Sequence, residues 1–480
     1  MPRHPLTAAS RRTARFPMAD AATPDTTAET LTFPKGFRWG AATAAFQIEG
    51  STSEGGRGES IWDVFTRTPG LVIDGSNAEL AADSYRRYRD DVELLAGLDA
   101  DDYRFSISWP RVQPGGTGPA NEAGLAYYDR LVDELLTAGI APVPTLYHWD
   151  LPQELEAAGG WLNRDTAYRL AEYAGLVVDR LGDRVQRWIT LNEPAMTTLQ
   201  GYALGSQAPG HALMMGSLPT AHHQLLAHGL VVAAIRERGD AEVGITNNHT
   251  LMVPASDAPA DQFAAGAFDL IYNRIFADPV LTGAYPDLSG FGLEAMPGLE
   301  DGDLELIGAP IDFYGINFYN PTLVAAPSEG SEFAAAGLPF EPVEFENVPT
   351  TGFDWPIMPE TFTELLVSFA RDYGDRLPPV VITENGASFP DEVVGGAATG
   401  AVHDERRIDY VDRHITAVRR AIDQGVDVRG YYLWSLTDNF EWAEGYTQRF
   451  GLVHIDFETG ERTPKDSYAW YRDRIAASRG

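Results

Sequence analysis

Glu193 and Glu384 stand in two short segments of unusual make-up, Thr190-Leu191-Asn192-Glu193-Pro194 and Ile382-Thr383-Glu384-Asn385-Gly386. Each segment closes a run of apolar and β-branched residues, Arg184 to Leu191 in one case and Pro379 to Thr383 in the other. Such runs read as buried parallel strands, so each carboxylate falls where a strand ends and a loop begins. Two carboxyl groups facing one another across a pocket can break an acetal linkage. One protonates the departing oxygen, and the other attacks the carbon or activates water. That pair is the smallest equipment for cleaving a glycosidic bond.

The other strand ends carry groups suited to the same task. Gln47 lies in Phe46-Gln47-Ile48-Glu49-Gly50, Arg104 in Tyr103-Arg104-Phe105-Ser106, and His148 in Tyr147-His148-Trp149-Asp150. Further along come Asn192 beside Glu193, the run Asn317-Phe318-Tyr319, and Trp434-Ser435-Leu436-Thr437-Asp438-Asn439-Phe440-Glu441-Trp442. Amides, imidazole and carboxylates give and accept hydrogen bonds, and indole faces stack on the C–H face of a pyranose. The inventory suits an uncharged sugar. A phosphate site calls for clustered Lys and Arg or a glycine-rich nest, and no such cluster is present. Asn247 and Asn248 close the remaining strand-like run and receive no role.

The elements that must position these groups alternate along the chain. Strand-like runs fall at Phe37–Ala45, Asp102–Trp109, Ile140–His148, Val185–Asn192, Glu242–Asn247, Asp312–Phe318, Pro379–Thr383 and Val428–Leu436. Helical spacing links Leu125, Tyr128, Leu131, Val132, Leu135 and Leu136. It recurs in Leu170, Tyr173, Leu176, Val177 and Leu181, and in Ile408, Val411, Ile415, Val418 and Ile422. Eight strands alternating with helices predict an α/β fold, a (β/α)8 TIM barrel forming one domain over residues 31–480. Residues 326–348 and 390–400 read as long loops on the C-terminal face, where such a barrel carries its site. Residues 1–30, rich in Ala, Thr and Pro, read as a disordered leader without the apolar stretch of a secretory signal.

Composition narrows the partners. Lys plus Arg number 36 against 69 Asp plus Glu, a net charge of −33, which repels nucleic acid and anionic membrane surfaces. No run of apolar residues is long enough to span a bilayer. The chain has no cysteine, which excludes disulfides, thiol catalysis and Cys-ligated metal, and which fits a cytoplasmic location. The expected partner is a small-molecule β-glycoside. Neither metal nor cofactor is expected, and the sequence carries no signal for oligomeric state.

From Phe33-Pro34 to Lys465-Asp466-Ser467 the chain resembles glycoside hydrolase family 1, the β-glucosidase family. The resemblance rests on the two glutamate segments, on the Trp434–Trp442 run, and on Gly445-Tyr446-Thr447-Gln448-Arg449-Phe450-Gly451, all in the family's order. It implies that Glu193 is the general acid/base and Glu384 the nucleophile of a retaining mechanism. In that mechanism the two carboxyls lie about 5–5.5 Å apart. It further implies that Arg104 keeps Glu384 ionised and that Tyr319, with Asn317 in register, hydrogen-bonds the nucleophile. Gln47, His148, Trp149, Asn192, Trp434, Glu441, Trp442 and Phe450 fall on the sugar-binding positions. Asn192 would contact the 2-hydroxyl and Trp434 would stack under the ring. Trp355, in Phe353-Asp354-Trp355-Pro356, falls where the family has a leaving-group platform, although its neighbours depart from the usual pattern.

Family members acting on 6-phosphorylated sugars replace the glutamate of Asn-Phe-Glu-Trp, whereas Glu441 is intact here and would repel a phosphate. Thioglucosidases of the family lack the acid, whereas Glu193 is present. The resemblance therefore implies hydrolysis of unphosphorylated β-O-glycosides, with glucose the default glycone and fucose and galactose tolerated. A transglycosylase would use the same glutamates, and a non-catalytic glycan-binding barrel would keep the same fold. His222, His223 and His228 share an apolar helical stretch, but their spacing does not bring all three to one face, so they read as structural.

Overall fold

The computed structural model describes residues 13–14, 31–394 and 400–479. Eight parallel strands close into a barrel: β1 Arg38–Ala42, β2 Asp102–Ser106, β3 Ala141–Tyr147, β4 Arg187–Asn192, β5 Glu242–Asn248, β6 Phe313–Asn317, β7 Val380–Asn385 and β8 Val428–Trp434. Each pairs with its neighbours in chain order, and β8 pairs with β1 to close the ring. Their residues are buried almost throughout, as strands covered on both faces must be. All eight sequence-predicted strands are present, most of them shorter at one or both ends. Only β5 and β7 run past the predicted C-terminal limit, so Glu384 lies within β7 rather than beyond it.

The helices that cover the strands are α1 Ser84–Gly97, α2 Glu122–Thr137, α3 Asp165–Leu181, α4 Leu218–Arg236, α5 Ile275–Thr282, α6 Pro359–Tyr373, α7 Glu405–Asp423 and α8 Asp466–Ser478. Asn121 caps α2 by accepting from the Ala123 N–H, and of the predicted stripe Leu125, Tyr128, Leu131, Val132 and Leu135 are buried, whereas Leu136 at its edge is exposed. α4 differs: it is buried nearly all round, wedged among α3, β4 and Asp303–Ile307, and so carries no apolar stripe of its own. No helix among the described residues is long and apolar enough to cross a membrane.

The segment 326–348, expected as an open loop, is partly ordered into a small sheet. Thr322–Ala325 pairs with Met252–Pro254 and, antiparallel, with Glu341–Phe345. Thr13–Ala14 adds to Glu344–Phe345 in parallel; the rest of the expected leader lies outside the described residues. Short strands broken by Pro342 and acidic residues give little periodicity, which is why the sequence reads as loop there. In the segment 390–400, Val393–Val394 pairs with Ala401–Val402, and residues 395–399 lie outside the described residues.

The barrel registers slip at the functional end. The β4–β5 ladder shifts between Ile189 and Asn192, the β7–β6 ladder between Ile382 and Glu384, and the β7–β8 ladder between Ile382 and Asn385. An irregularity at a strand end re-aims the side chains beyond it. These slips occur beside the two glutamates.

Candidate active site

A cavity of about 450 Å³ opens at the C-terminal end of the barrel, with Glu193 and Glu384 in its wall. Glu193 follows the last residue of β4, and its backbone takes the left-handed conformation, φ 46°. Such a φ costs a non-glycine residue of order 1–3 kcal/mol and persists only where the surroundings enforce it. Here the Glu193 N–H donates to the Thr246 carbonyl on β5 at 2.8 Å, and Pro194 starts the next helical turn. Trp149 and Trp442, at the same cavity, are also left-handed, at φ 74° and 50°.

Arg104 and Asn317 line no part of the cavity; they lie behind it and tie its two carboxylates together. Arg104 is fully buried on β2 and donates through Nη1 to Glu384 Oε1 at 2.5 Å and through Nη2 to Asn192 Oδ1 at 2.6 Å. Asn192 Oδ1 also accepts from Asn317 Nδ2 at 3.1 Å, and the same Nδ2 donates to Glu193 Oε1 at 2.5 Å. Thr383 Oγ1 donates to Asn317 Oδ1 at 2.7 Å, which fixes which way the Asn317 amide faces. Tyr319 Oη donates to the other oxygen of Glu384 at 2.6 Å. Glu384 thus carries a buried cation on one oxygen and a phenol on the other, and both stabilise its anion.

Glu193 has the opposite environment. Burial raises its pKa well above the ordinary carboxyl value, and the negative charge of Glu384 raises it further; the Asn317 amide and Arg104 offset only part of this. A carboxyl that accepts from a cation and a phenol, facing one whose pKa is raised, is an arrangement that acid/base chemistry can use.

The cavity floor is built from Gln47, His148, Trp149, Asn192, Trp434, Glu441, Trp442 and Phe450, all of which line it. Burial, and then the charge of Arg104, lower the His148 pKa well below its usual value, so the ring is neutral. Its Nε2 lies 3.0 Å from Asn192 Nδ2, which can only donate, so the proton sits on Nδ1. That Nδ1 is buried and has no partner among the described residues. Gln47 Nε2 donates to Asn439 Oδ1 and Glu441 Oε2, at 3.0 and 3.1 Å, while Gln47 Oε1 is buried without a partner among the described residues. A buried donor and a buried acceptor left open on a cavity floor are costly unless a ligand satisfies them, and a sugar hydroxyl can do both. Burial, with the charges of Glu384 and Glu444, pushes the Glu441 pKa up to about 8.

The aromatic wall is a connected set. Trp355 stacks on Phe353 with centroids 4.5 Å apart and planes 11° apart, and it also touches Tyr319 and Phe450. Every sequence-predicted site residue is therefore in the cavity wall or in the network directly behind it. The cavity also takes in residues that received no role from the sequence, among them Met196, Gln200, Leu204, Gln207, Asn248, Tyr272 and Asn320. Most come from loops and from the wide helical turn Thr197–Ala203 after Glu193, where no periodicity marks them. The one available signal is their position directly after a strand end.

The tempting histidines are occupied otherwise. His222 bonds Asp303 and Tyr285, at 2.9 and 3.0 Å; His223 Nδ1 donates to the Trp161 carbonyl; His228 Nδ1 pairs with Thr190 Oγ1. Asp303 comes from outside the helix, so the spacing on α4 could not reveal it. Among the described residues no three His, Cys, Asp or Glu side chains form a metal-binding group.

Residues 29–479 match the family described as Glycosyl hydrolase family 1. The chain is 46% identical over 451 residues to beta-glucosidase A of Acetivibrio thermocellus, covering 93% of this chain and 98% of that one. It is 45% identical to a bifunctional beta-D-glucosidase/beta-D-fucosidase of Bifidobacterium breve, over 93% of this chain and 99% of the relative. Among solved structures, the psychrophilic beta-glucosidase BglU of Micrococcus antarcticus superposes with a TM-score of 0.89 at 45% identity, covering 94% of this chain and 98% of that one. The beta-glucosidase of Thermotoga maritima in complex with glucoimidazole gives 0.88 at 41% identity, covering 93% and 99%.

Proposed function

The chain belongs to glycosyl hydrolase family 1, and on that premise we propose that Glu193 and Glu384 make it a retaining β-glucosidase. It removes terminal β-D-glucosyl residues from unphosphorylated glycosides, with β-D-fucosyl and galactosyl residues as further glycones. One observation carries the assignment of roles. Arg104 and Tyr319 donate to the two oxygens of Glu384, while burial and the Glu384 charge raise the Glu193 pKa.

In the first step a Glu384 carboxylate oxygen attacks the anomeric carbon. The bond from that carbon to the leaving oxygen breaks, and the Glu193 proton passes to that oxygen. The product is a glycosyl ester on Glu384 and a free alcohol. Esterification removes the Glu384 charge that kept Glu193 protonated, so Glu193, now ionised, becomes a base. It takes a proton from water as the water oxygen attacks the anomeric carbon. The ester bond breaks, its electron pair returns to Glu384, and Glu193 is protonated again. Two inversions leave the β configuration.

Glucose fits a floor that offers an open donor at His148 Nδ1 and an open acceptor at Gln47 Oε1. Among the described residues no Lys or Arg lines the cavity to pair with a 6-phosphate beside Glu441. The lack of cysteine agrees with action in the cytoplasm. Proton NMR during turnover of an aryl β-D-glucoside is the test. β-Glucose should appear first and the α anomer only later by mutarotation. α-Glucose first, or no turnover at all, would overturn the reading.

A further inference from the structure

Two buried hydroxyls stand beside the glutamates, Thr246 on β5 and Thr383 on β7. Valine has nearly the same shape and brings no hydroxyl that burial leaves to be satisfied. Here the hydroxyls are linked in series. Thr246 Oγ1 donates to Thr383 Oγ1 at 3.2 Å, and Thr383 Oγ1 donates to Asn317 Oδ1 at 2.7 Å. The two threonines meet across β6 because Gly315 lies between them. A Cβ at Gly315 would stand 2.3 Å from Thr246 Oγ1 and 3.0 Å from Thr383 Cγ2.

The series ends on Glu193. Asn317 Nδ2 places one hydrogen on Asn192 Oδ1 and the other on Glu193 Oε1, at 3.1 and 2.5 Å. Thr383 Oγ1 supplies the donor to the Asn317 oxygen, and no second donor to it occurs among the described residues. Thr246 also holds Glu193 directly, through its carbonyl and the Glu193 N–H. A hydrogen bond to an ionised acceptor is about twice as strong as one to a neutral acceptor. The Asn317 hydrogen therefore stabilises Glu193 most when Glu193 is a carboxylate. In a retaining cycle that state follows the glycosylation of Glu384.

We propose that Thr383, backed by Thr246, is a positioning residue for the second half of the cycle: through Asn317 it aims an amide hydrogen at Glu193 as that group turns from acid to base. The proposal rests on the retaining reading and separates its two steps. Formation of the glycosyl ester uses protonated Glu193, to which the same hydrogen adds less. Hydrolysis of the ester uses ionised Glu193, to which it adds most. Thr383→Val leaves Asn317 Oδ1 buried without a donor, so the amide is no longer held to its course.

The test uses 2,4-dinitrophenyl β-D-glucoside, whose leaving group departs without a proton. Its kcat/KM reports attack by Glu384, and its kcat reports hydrolysis of the glycosyl ester, the step that needs Glu193 as base. Thr383→Val should lower kcat about tenfold and change kcat/KM by less than about twofold. Thr383→Ser keeps the hydroxyl and should keep kcat. Thr246→Val removes only the outer hydroxyl; it should show the same split at smaller size, and it carries the test should Thr383→Val not fold. Equal falls in kcat and kcat/KM, as a loosened site gives, or an unchanged kcat in every folded variant, would overturn the proposal and leave the retaining reading standing. Wild-type protein that turned over no β-glucoside, or released α-glucose first, would instead overturn the reading on which it rests.

Discussion

The proton on Glu193 depends on a carboxylate that belongs to another strand. Because Glu384 on β7 helps raise the Glu193 pKa, the folded protein keeps a proton that the unfolded chain releases near the ordinary glutamate value of about 4.3. A raised folded pKa means that the folded state binds more protons between the two values. Stability therefore falls as pH rises through that window, and the loss is absent below it. Glu193→Gln has no proton to lose and can still accept from Asn317 through its amide oxygen. It should melt with wild type at pH 4 and higher than wild type at pH 7, by about 2 °C or more in thermal unfolding. Equal melting temperatures at pH 7 would mean that Glu193 is ionised in the free protein. The two glutamates are legible in the sequence because Asn-Glu-Pro and Thr-Glu-Asn-Gly close strand-like runs. The left-handed backbone at Glu193 is not, since nothing about a glutamate announces it. Nor is the route from Arg104 through Asn192 and Asn317 to Glu193, which joins three strands distant in sequence.

Strands are easier to read than loops, for a physical reason. A barrel strand buried on both faces must be apolar and β-branched throughout, as Val380–Ile382 and Trp188–Leu191 are, so composition alone marks it. The loops obey no such rule. The sheet formed by Met252–Pro254, Thr322–Ala325 and Glu341–Phe345 is not legible in the sequence, and neither are the mouth residues Gln200 and Gln207. What fixes two of these loops is charge. Lys465 is buried between Asp391, beyond β7, and Asp438, beyond β8, and it bonds both. Arg407 pairs with Asp391, and Arg449 with Asp438, at 2.9 and 2.7 Å. Asp438 begins the Asp438-Asn439-Phe440-Glu441 run, in which Asn439 accepts from Gln47, so the cluster bears on the cavity floor. Lys465→Met leaves two buried carboxylates with one cation fewer and should cost about 3 kcal/mol in urea unfolding. It should also raise KM for glucosides more than it lowers kcat. A stability within about 0.5 kcal/mol of wild type would show that the two arginines suffice.

At the scale of the whole molecule, a net charge of −33 surrounds a site that takes a neutral substrate. Lys35 and Lys465 are the chain's two lysines, and only Lys35 is exposed, so arginines supply nearly all the positive charge outside the core. Self-repulsion among surface carboxylates destabilises the folded state, and salt screens it over about 10 Å at 0.1 M. Raising NaCl from about 10 mM to about 500 mM should therefore lift the melting temperature by about 2 °C or more and leave kcat/KM for an uncharged glucoside nearly unchanged. A melting temperature that fell with salt would mean that attraction within surface ion pairs outweighs this repulsion. Barrel, loops and surface together serve one chemical event, the hydrolysis of a β-glucosidic bond, for which Glu384 is the proposed nucleophile. The most direct measurement is of Glu384→Gly on an aryl β-D-glucoside, with and without azide. Without azide, turnover should collapse; with it, nitrophenol release should return and the product should be α-glucosyl azide, formed by a single inversion. Near-wild-type hydrolysis by the variant, or β-glucosyl azide as its product, would contradict the assignment of Glu384 as nucleophile.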